Sequence, residues 1–105
     1  MRTVQFRNQL DQETSLRVQF ELDNGRVQKF TVQLECLIVG QWTPVVRYDT
    51  AHGFAHMDIL HPFNPAQKVQ VDVRDYNEAL TLAMEDLTKN RIMYRRRYQQ
   101  WLQNR

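Results

Sequence analysis

The chain has little cysteine, no long apolar run and almost no net charge. The first two shortages each exclude a class of protein. Only Cys36 is present among 105 residues, so no disulfide can form within the chain. Cys36 lies in an alternating apolar pattern, which predicts a buried core thiol rather than a reactive one. No stretch approaches the roughly 18 apolar residues that a membrane-spanning helix needs. The first residues have no apolar leader segment, so we expect a cytoplasmic protein without a secretory signal.

The net charge of +2 is distributed unevenly along the chain. Residues 1–74 carry eight basic and eight acidic groups, residues 75–88 carry four acids and no base, and residues 89–105 carry six bases and no acid. A segment with this charge attracts polyanions. We therefore predict RNA as a partner, with nucleic-acid contacts from Arg91, Arg95, Arg96 and Arg97.

The chain predicts one domain of the α+β class: an antiparallel meander of about five strands over residues 1–74, followed by a long C-terminal helix over residues 75–105. Strand patterns cover residues 4–7, 16–22, 45–50, 55–60 and 68–73, together with a long segment from Phe30 to Ile38. The stretch from Gly40 to Pro44 interrupts this pattern.

The turn signal Asn24-Gly25 predicts the first well-defined hairpin. If the apolar faces match, Phe20 pairs with Phe30 and Val18 pairs with Val32. A strict two-residue loop would instead place Phe20 opposite Lys29. We therefore predict a three-residue loop or a bulge close to the turn.

The apolar period changes to three and four residues after Asp75, which is a predicted N-cap with Glu78 in capping-box spacing. A continuous helix over residues 76–104 would be roughly 43 Å long, whereas a globule of this size is about 35 Å across. The helix then either projects or breaks near residues 88–90. A projecting end with Tyr94, Tyr98 and Trp101 would need a partner, which predicts a homodimer joined through this helix.

All three histidines lie within ten residues, beside two carboxylates, a guanidinium and a phenol. A hairpin turn centred on His52-Gly53 pairs Asp49 with His56 and Arg47 with Asp58. Their side chains share one polar face. Tyr48 and His61 belong to the opposite face, and His52 lies in the turn. The candidate catalytic residues of this run are Arg47, Tyr48, Asp49, His52 and His56.

Three interpretations of this polar face remain open. It can be a solvated ladder of opposed charges without a function. It can perform acid–base cleavage of RNA, with His56 as base or acid, Asp49 orienting it, Arg47 holding phosphate, and Tyr48 or His52 as the second proton carrier. It can bind a divalent metal through the three histidines and Asp58, although the spacing is not a strong signature. We assign no cofactor and no metal site at this point.

Residues 47–62, Arg-Tyr-Asp-Thr-Ala-His-Gly-Phe-Ala-His-Met-Asp-Ile-Leu-His-Pro, look like the signature of a family of short, uncharacterised bacterial proteins. They also resemble, at a greater distance, the TumE-like toxins of toxin–antitoxin pairs, which carry an Arg-Tyr-Asp-Asn-Ala motif, a histidine-rich stretch and a C-terminal helix. Thr50 stands where those toxins have Asn, and His56-Met-Asp58 replaces their paired histidines. The resemblance implies a small toxin that acts on RNA or translation and is neutralised by a cognate antitoxin.

The preferred hypothesis is thus a toxin-like protein that acts as a metal-independent ribonuclease. The first alternative is a non-enzymatic binding or scaffold domain that dimerises through its C-terminal helix. The second is a metal-binding protein that uses the histidine cluster.

Overall fold

The computed structural model describes residues 1–104 and has the predicted α+β architecture, an antiparallel sheet followed by helices. The sheet has six strands in chain order, rather than about five. The strands are β1 (Arg2–Asp11), β2 (Thr14–Asp23), β3 (Arg26–Ile38), β4 (Gln41–Asp49), β5 (His56–Ile59) and β6 (Gln67–Gln70). The helices are α1 (Tyr76–Lys89) and α2 (Arg91–Gln103). Arg105, the last residue of the basic segment, lies outside the described residues.

The β2–β3 hairpin confirms the register that the apolar pattern predicts. Phe20 pairs with Phe30 and Val18 pairs with Val32. The turn itself has only two residues, Asn24 and Gly25, both at positive φ (51° and 75°). A bulge one step into the strands restores the apolar register, because Leu22 pairs with Val27 while Glu21 pairs with Lys29.

The expected interruption between Gly40 and Pro44 was wrong, because β4 already begins at Gln41. Val39 and Gly40 form a second tight turn, and both have positive φ (47° and 74°). Pro44 cannot donate a ladder hydrogen bond. It lies at a register shift, where Glu35 pairs with Pro44 but Leu34 pairs with Val46. The bulge therefore accommodates a residue whose type normally ends a strand.

Both helices pack on the same face of the sheet, which we call the helix face. The buried core there combines strand residues such as Leu16, Val32 and Leu34 with Ala83 and Leu87 of α1. Cys36 is fully buried in this core as expected, and its burial raises the pKa of the thiol to about 12. The opposite face, which carries no helix within residues 1–104, is called the open face.

The single long helix is not confirmed, because the helical segment divides at Asn90, and this is the break near residues 88–90 that the helix length offered as the alternative. Asp75 caps α1 as predicted, and its side chain accepts a hydrogen bond from the Glu78 backbone N–H at 2.8 Å. Asn90 ends α1 with φ −104° and ψ 17°, and α2 starts at Arg91 in a new direction. Neither helix is long and apolar enough to cross a bilayer, as judged over the described part of the chain.

The division at Asn90 lets the aromatic side chains of α2 pack within the chain. Tyr94 is buried, Tyr98 packs against the core, and the Trp101 ring stacks on the His61 ring with centroids 4.6 Å apart. These side chains therefore do not project in the way that motivated the predicted dimer.

Candidate functional site

The β4–β5 hairpin has the register that the apolar pattern predicts. Asp49 pairs with His56, Arg47 pairs with Asp58, and Tyr48 pairs with Met57. The connecting loop, residues 50–55, contains a turn closed by a hydrogen bond from the Gly53 N–H to the Thr50 carbonyl at 3.1 Å. The register brings two carboxylates and one imidazole to the same end of the open face.

His56 is the most enclosed polar side chain of this group and is only 2% exposed. Its Nε2 lies 2.9 Å from Asp49 Oδ1 and 3.8 Å from Asp58 Oδ2. Its Nδ1 lies 3.4 Å from the carbonyl oxygen of Phe54. Both ring nitrogens therefore face oxygen acceptors, and the ring is held from two sides.

The expected ion pair between Arg47 and Asp58 was wrong, although the two residues are cross-strand neighbours. Lys68 of β6 instead contacts Asp58, with Nζ 3.1 Å from Oδ1. Arg47 turns the other way and donates from Nε to Gln33 Oε1 at 2.9 Å. The sixth strand places Lys68 directly opposite Asp58, so Lys68 replaces Arg47 as the charged partner of Asp58.

Tyr48, a predicted proton carrier, lies on the helix face and not beside His56. Its hydroxyl donates to Asp86 Oδ2 at 2.6 Å, and the hydroxyl of Tyr94 donates to the same oxygen at 2.7 Å. Burial and the Asp86 carboxylate raise the pKa of both tyrosines above the ordinary value of 10.0. Tyr48 therefore joins β4 to the two helices and has no place in acid–base chemistry at His56.

The other two histidines have different surroundings. His52 lies in the loop, exposed, with its ring centroid 5.3 Å from that of His56. His61 lies after β5, where its Nδ1 accepts the backbone N–H groups of Phe63 and Asn64 at 3.1 Å. A three-histidine metal site is thus not formed. The cluster that the structure brings together is Asp49, His56 and Asp58, with one ligand atom from each lying within 4.8 Å of the others.

A row of charged side chains crosses the open face from one edge of the sheet to the other. Successive cross-strand partners make up this cationic row: Arg7, Arg17, Gln33, Arg47, Asp58 and Lys68. Four of its six members are cations. Neighbouring strands are about 4.8 Å apart. Arg7 and Arg17 lie on adjacent strands, whereas Gln33 separates Arg17 from Arg47 and Asp58 separates Arg47 from Lys68.

Glu35 lies beside this row and offsets part of its charge. Arg7 and Gln33 both hydrogen-bond its carboxylate, and Arg17 adds a favourable Coulombic interaction. Burial alone would raise the pKa of Glu35, but these three partners outweigh it and lower the pKa below its ordinary value of 4.5. Arg17 itself is exposed and makes no hydrogen bond with the residues that the structure describes.

The open face is hollow beside the row. One concavity of about 570 Å³ is lined by polar side chains of β1, β2 and β3, among them Arg7, Arg17 and Gln19. A second, of about 370 Å³, shares Gln19 with it and extends to Asp49. The two concavities adjoin at Gln19 and Thr31, and the second reaches the carboxylate that contacts His56; together we call them the polar groove.

The arginines predicted to bind nucleic acid on α2 are mostly engaged within the chain. Arg91 contacts Asp11 and Arg95 contacts Glu13, each at 2.8 Å. The Arg97 guanidinium lies over the rings of Tyr94 and Trp101, 5.2 Å from each centroid. Arg96 alone among the four predicted arginines is exposed without such a contact. The charge of α2 therefore serves mainly to dock the helix against the β1–β2 hairpin.

Sequence reasoning missed Arg7, Arg17, Gln33, Glu35 and Lys68 as neighbours of the site. The alternation that placed Arg17 and Gln33 on the polar side of their strands was visible in the sequence. What was missing was the order of the strands, because only neighbouring strands bring such residues into one row.

A family model that matches nearly the whole chain identifies the family of this protein. This chain belongs to the DUF7718 family, a domain of unknown function, and the family model covers residues 1–104. No curated protein and no solved structure matches the chain. The family model spans all six strands and both helices, so the hairpin with His56 and the cationic row are parts of one domain.

Proposed function

We propose that this protein acts on single-stranded RNA, as a toxin-like ribonuclease that binds the phosphate backbone on its open face. The observation that carries the proposal is the cationic row, which runs along a polar groove toward Asp49 and His56. The resemblance of residues 47–62 to TumE-like toxins supports the same class of substrate. The proposed binding surface differs from the expected one, because the proposal assigns binding to the sheet and not to α2.

The sheet offers what a single strand of RNA requires. Phosphate oxygens are recognised by arginine and lysine side chains, and this binding weakens with salt because counterions are released. Arg17 has an exposed guanidinium with no hydrogen bond in residues 1–104, so its donors are available to a phosphate. His52 and Phe54 are exposed rings in the loop beside His56, where a base can stack.

The site is better suited to cleavage assisted by a bound metal cation than to cleavage by side chains alone. A general base must reach the proton that it removes. His56 is buried, and both of its nitrogens already face acceptors, while Tyr48 lies on the other side of the sheet. Cleavage is therefore expected to continue in Tyr48→Phe, provided that this variant is folded by circular dichroism.

The test of RNA binding compares two arginines that differ in position but not in charge. We expect Arg17→Gln to weaken the binding of a short fluorescein-labelled single-stranded RNA and to lower the slope of log Kd against log salt by about one. Arg26→Gln removes the same charge from the exposed end of β3 and should leave both quantities unchanged. Fluorescence anisotropy over a salt series measures them.

Three results would contradict parts of the proposal. Equal effects of Arg17→Gln and Arg26→Gln would show that the cationic row is not the binding surface. RNA binding that is lost in Arg96→Gln but retained in Arg17→Gln would indicate that α2 is the RNA-binding surface. RNA that is bound but never cut would favour the alternative of a binding domain without catalysis.

A further inference from the structure

We propose that Asp49, His56 and Asp58 form a binding site for one divalent transition-metal cation of the Mn²⁺ to Zn²⁺ class. The three residues each offer one donor atom, and these atoms lie within 4.8 Å of one another. An imidazole nitrogen with two carboxylate oxygens is a mixed donor set that such cations accept. The binding itself does not depend on the proposed action on RNA.

The short contact between His56 and Asp49 requires either a proton or a metal cation between the two atoms. Nε2 and Oδ1 are 2.9 Å apart, and a bare imidazole lone pair facing a carboxylate oxygen at that distance is repulsive. A proton on Nε2 relieves the repulsion, and so does a metal ion. In the second case the remaining ring proton belongs on Nδ1, where the Phe54 carbonyl oxygen lies 3.4 Å away. A backbone carbonyl at the second nitrogen is the usual support of a metal-bound histidine.

Asp58 is supported in the same manner. Lys68 contacts its Oδ1 at 3.1 Å, while Oδ2 is turned toward His56 Nε2 at 3.8 Å. Asp49 Oδ1 accepts the backbone N–H of Ala51 at 3.0 Å. Ligand carboxylates in metal sites carry such outer hydrogen bonds. Each of the three donors therefore has its own support from outside the cluster.

The separations match a small cation without rearrangement of the sheet. Ligands bound at about 2.1 Å in a tetrahedron lie about 3.4 Å from each other. The two distances from His56 Nε2, 2.9 Å and 3.8 Å, lie on either side of that value. The third separation, between the two carboxylate oxygens, is at most 4.8 Å, so closing the site requires side-chain shifts of up to about 1.4 Å toward the tetrahedral spacing. Three protein ligands leave a fourth position for water or for a phosphate oxygen, and the polar groove reaches Asp49.

Calorimetric titration of the tag-free protein with ZnCl₂, and separately with MnCl₂, tests the site. We expect one equivalent of at least one of the two ions to bind. Asp58→Asn, which keeps the size of the side chain, should weaken that binding about 100-fold or more. His52→Ala should change it by less than about twofold, which separates the proposed site from capture by the exposed histidine.

Lys68 provides a test that does not depend on the stability of ligand variants. Its ammonium group orients Asp58 through Oδ1 but also repels a cation at Oδ2, and we expect the repulsion to be the larger effect, so Lys68→Ala should strengthen metal binding about threefold to tenfold. The matched control is Lys89→Ala, which removes an equal charge from an exposed position at the end of α1, on the helix side of the sheet. This control should not change metal binding.

The proposal is overturned if neither ion binds, if binding survives in folded Asp58→Asn, or if Lys68→Ala weakens binding as strongly as a lost ligand does. Failure here leaves the RNA-binding proposal standing, because the Arg17→Gln comparison contains no metal. Conversely, metal binding without any RNA binding would retain the site and reject the proposed substrate.

Discussion

At the scale of single residues, two hairpin turns with the same backbone differ in one side chain. Asn24-Gly25 joins β2 to β3, and Val39-Gly40 joins β3 to β4, with positive φ at all four residues. Asn tolerates this conformation, whereas a β-branched residue is strained in it. Val39 is 86% exposed, so burial of its side chain does not offset the strain.

We therefore expect Val39→Asn to raise the free energy of unfolding by about 1 kcal/mol. Urea denaturation followed by circular dichroism measures the change. The reciprocal variant, Asn24→Val, should lower the free energy of unfolding by a similar amount. If neither substitution alters the denaturation midpoint, the strain assigned to Val39 is wrong.

The same comparison shows what residue-level rules can predict. Asn24-Gly25 was recognisable as a turn because its residue types suit its backbone. Val39 was not, because valine is normally excluded from this conformation, and the break was consequently placed over Gly40 to Pro44. A local rule fails where the cross-strand register forces an unfavourable residue into a turn.

At the scale of secondary-structure elements, Asp86 joins three of them. Its Oδ2 accepts the hydroxyls of Tyr48 from β4 and Tyr94 from α2, and its Oδ1 accepts the side-chain amide of Asn90 at 2.7 Å. A carboxylate that accepts three hydrogen bonds in a partly buried position contributes more than isolated surface contacts. This network holds α2 against the sheet after the helix divides.

We expect Asp86→Asn to lower the free energy of unfolding by about 2–3 kcal/mol, because an amide replaces the charge and one of its two acceptor oxygens. Chemical denaturation of the folded variant provides the value. Glu85→Gln is the matched control, since Glu85 is the exposed neighbour on the same helix. An equal loss in both variants would mean that the helix charge, and not the network, was responsible.

The helical period alone could predict these contacts only in part. Tyr94, Tyr98 and Trp101 lie on one side of a regular helix, and that much follows from their spacing. Their target depends on the change of direction at Asn90, which the chain length indicated only as one of two possibilities. The tertiary structure decides between projecting and folding back, because Asp86 and His61 supply partners within the same chain.

At the scale of the whole molecule, two carboxylates hold distant parts of the chain together. Asp11 pairs with Arg91 of α2, and Glu35 of β3 pairs with Arg7 of β1. Burial would raise the pKa of each carboxyl, but hydrogen bonds, with the arginine bond the largest of them, outweigh it. The pKa of Asp11 is lowered to about 2 from 3.8, and that of Glu35 is lowered from 4.5.

A lowered pKa in the folded state adds stability above the ordinary pKa, and this stability is lost as the pH falls through the folded value. The free energy of unfolding should therefore decrease below about pH 4.5, toward pH 2. The contribution of Asp11 is on the order of 1 kcal/mol, since its side chain is 36% exposed and screened by solvent. Urea titrations at about pH 6 and about pH 3 measure the decrease.

Asp11→Asn should be less stable than the native protein near pH 6 and should lose less stability on acidification. Asp23→Asn, at the exposed end of β2, should follow the native protein at both pH values. If the Asp11→Asn variant shows the full acid sensitivity of the native chain, the contact with Arg91 does not contribute as assigned.

The sequence by itself determined the sheet-then-helix order, the registers of the β2–β3 and β4–β5 hairpins, and the sharing of one face by Arg47, Asp49, His56 and Asp58. These features follow from local periodicity and from the matching of apolar faces. Only the tertiary structure decided that Lys68 forms the ion pair with Asp58, that Arg47 hydrogen-bonds Gln33, and that Tyr48 hydrogen-bonds Asp86 of α1. Those choices depend on which strand or helix lies beside each residue, and contacts between segments distant in the chain leave no periodic signal in it.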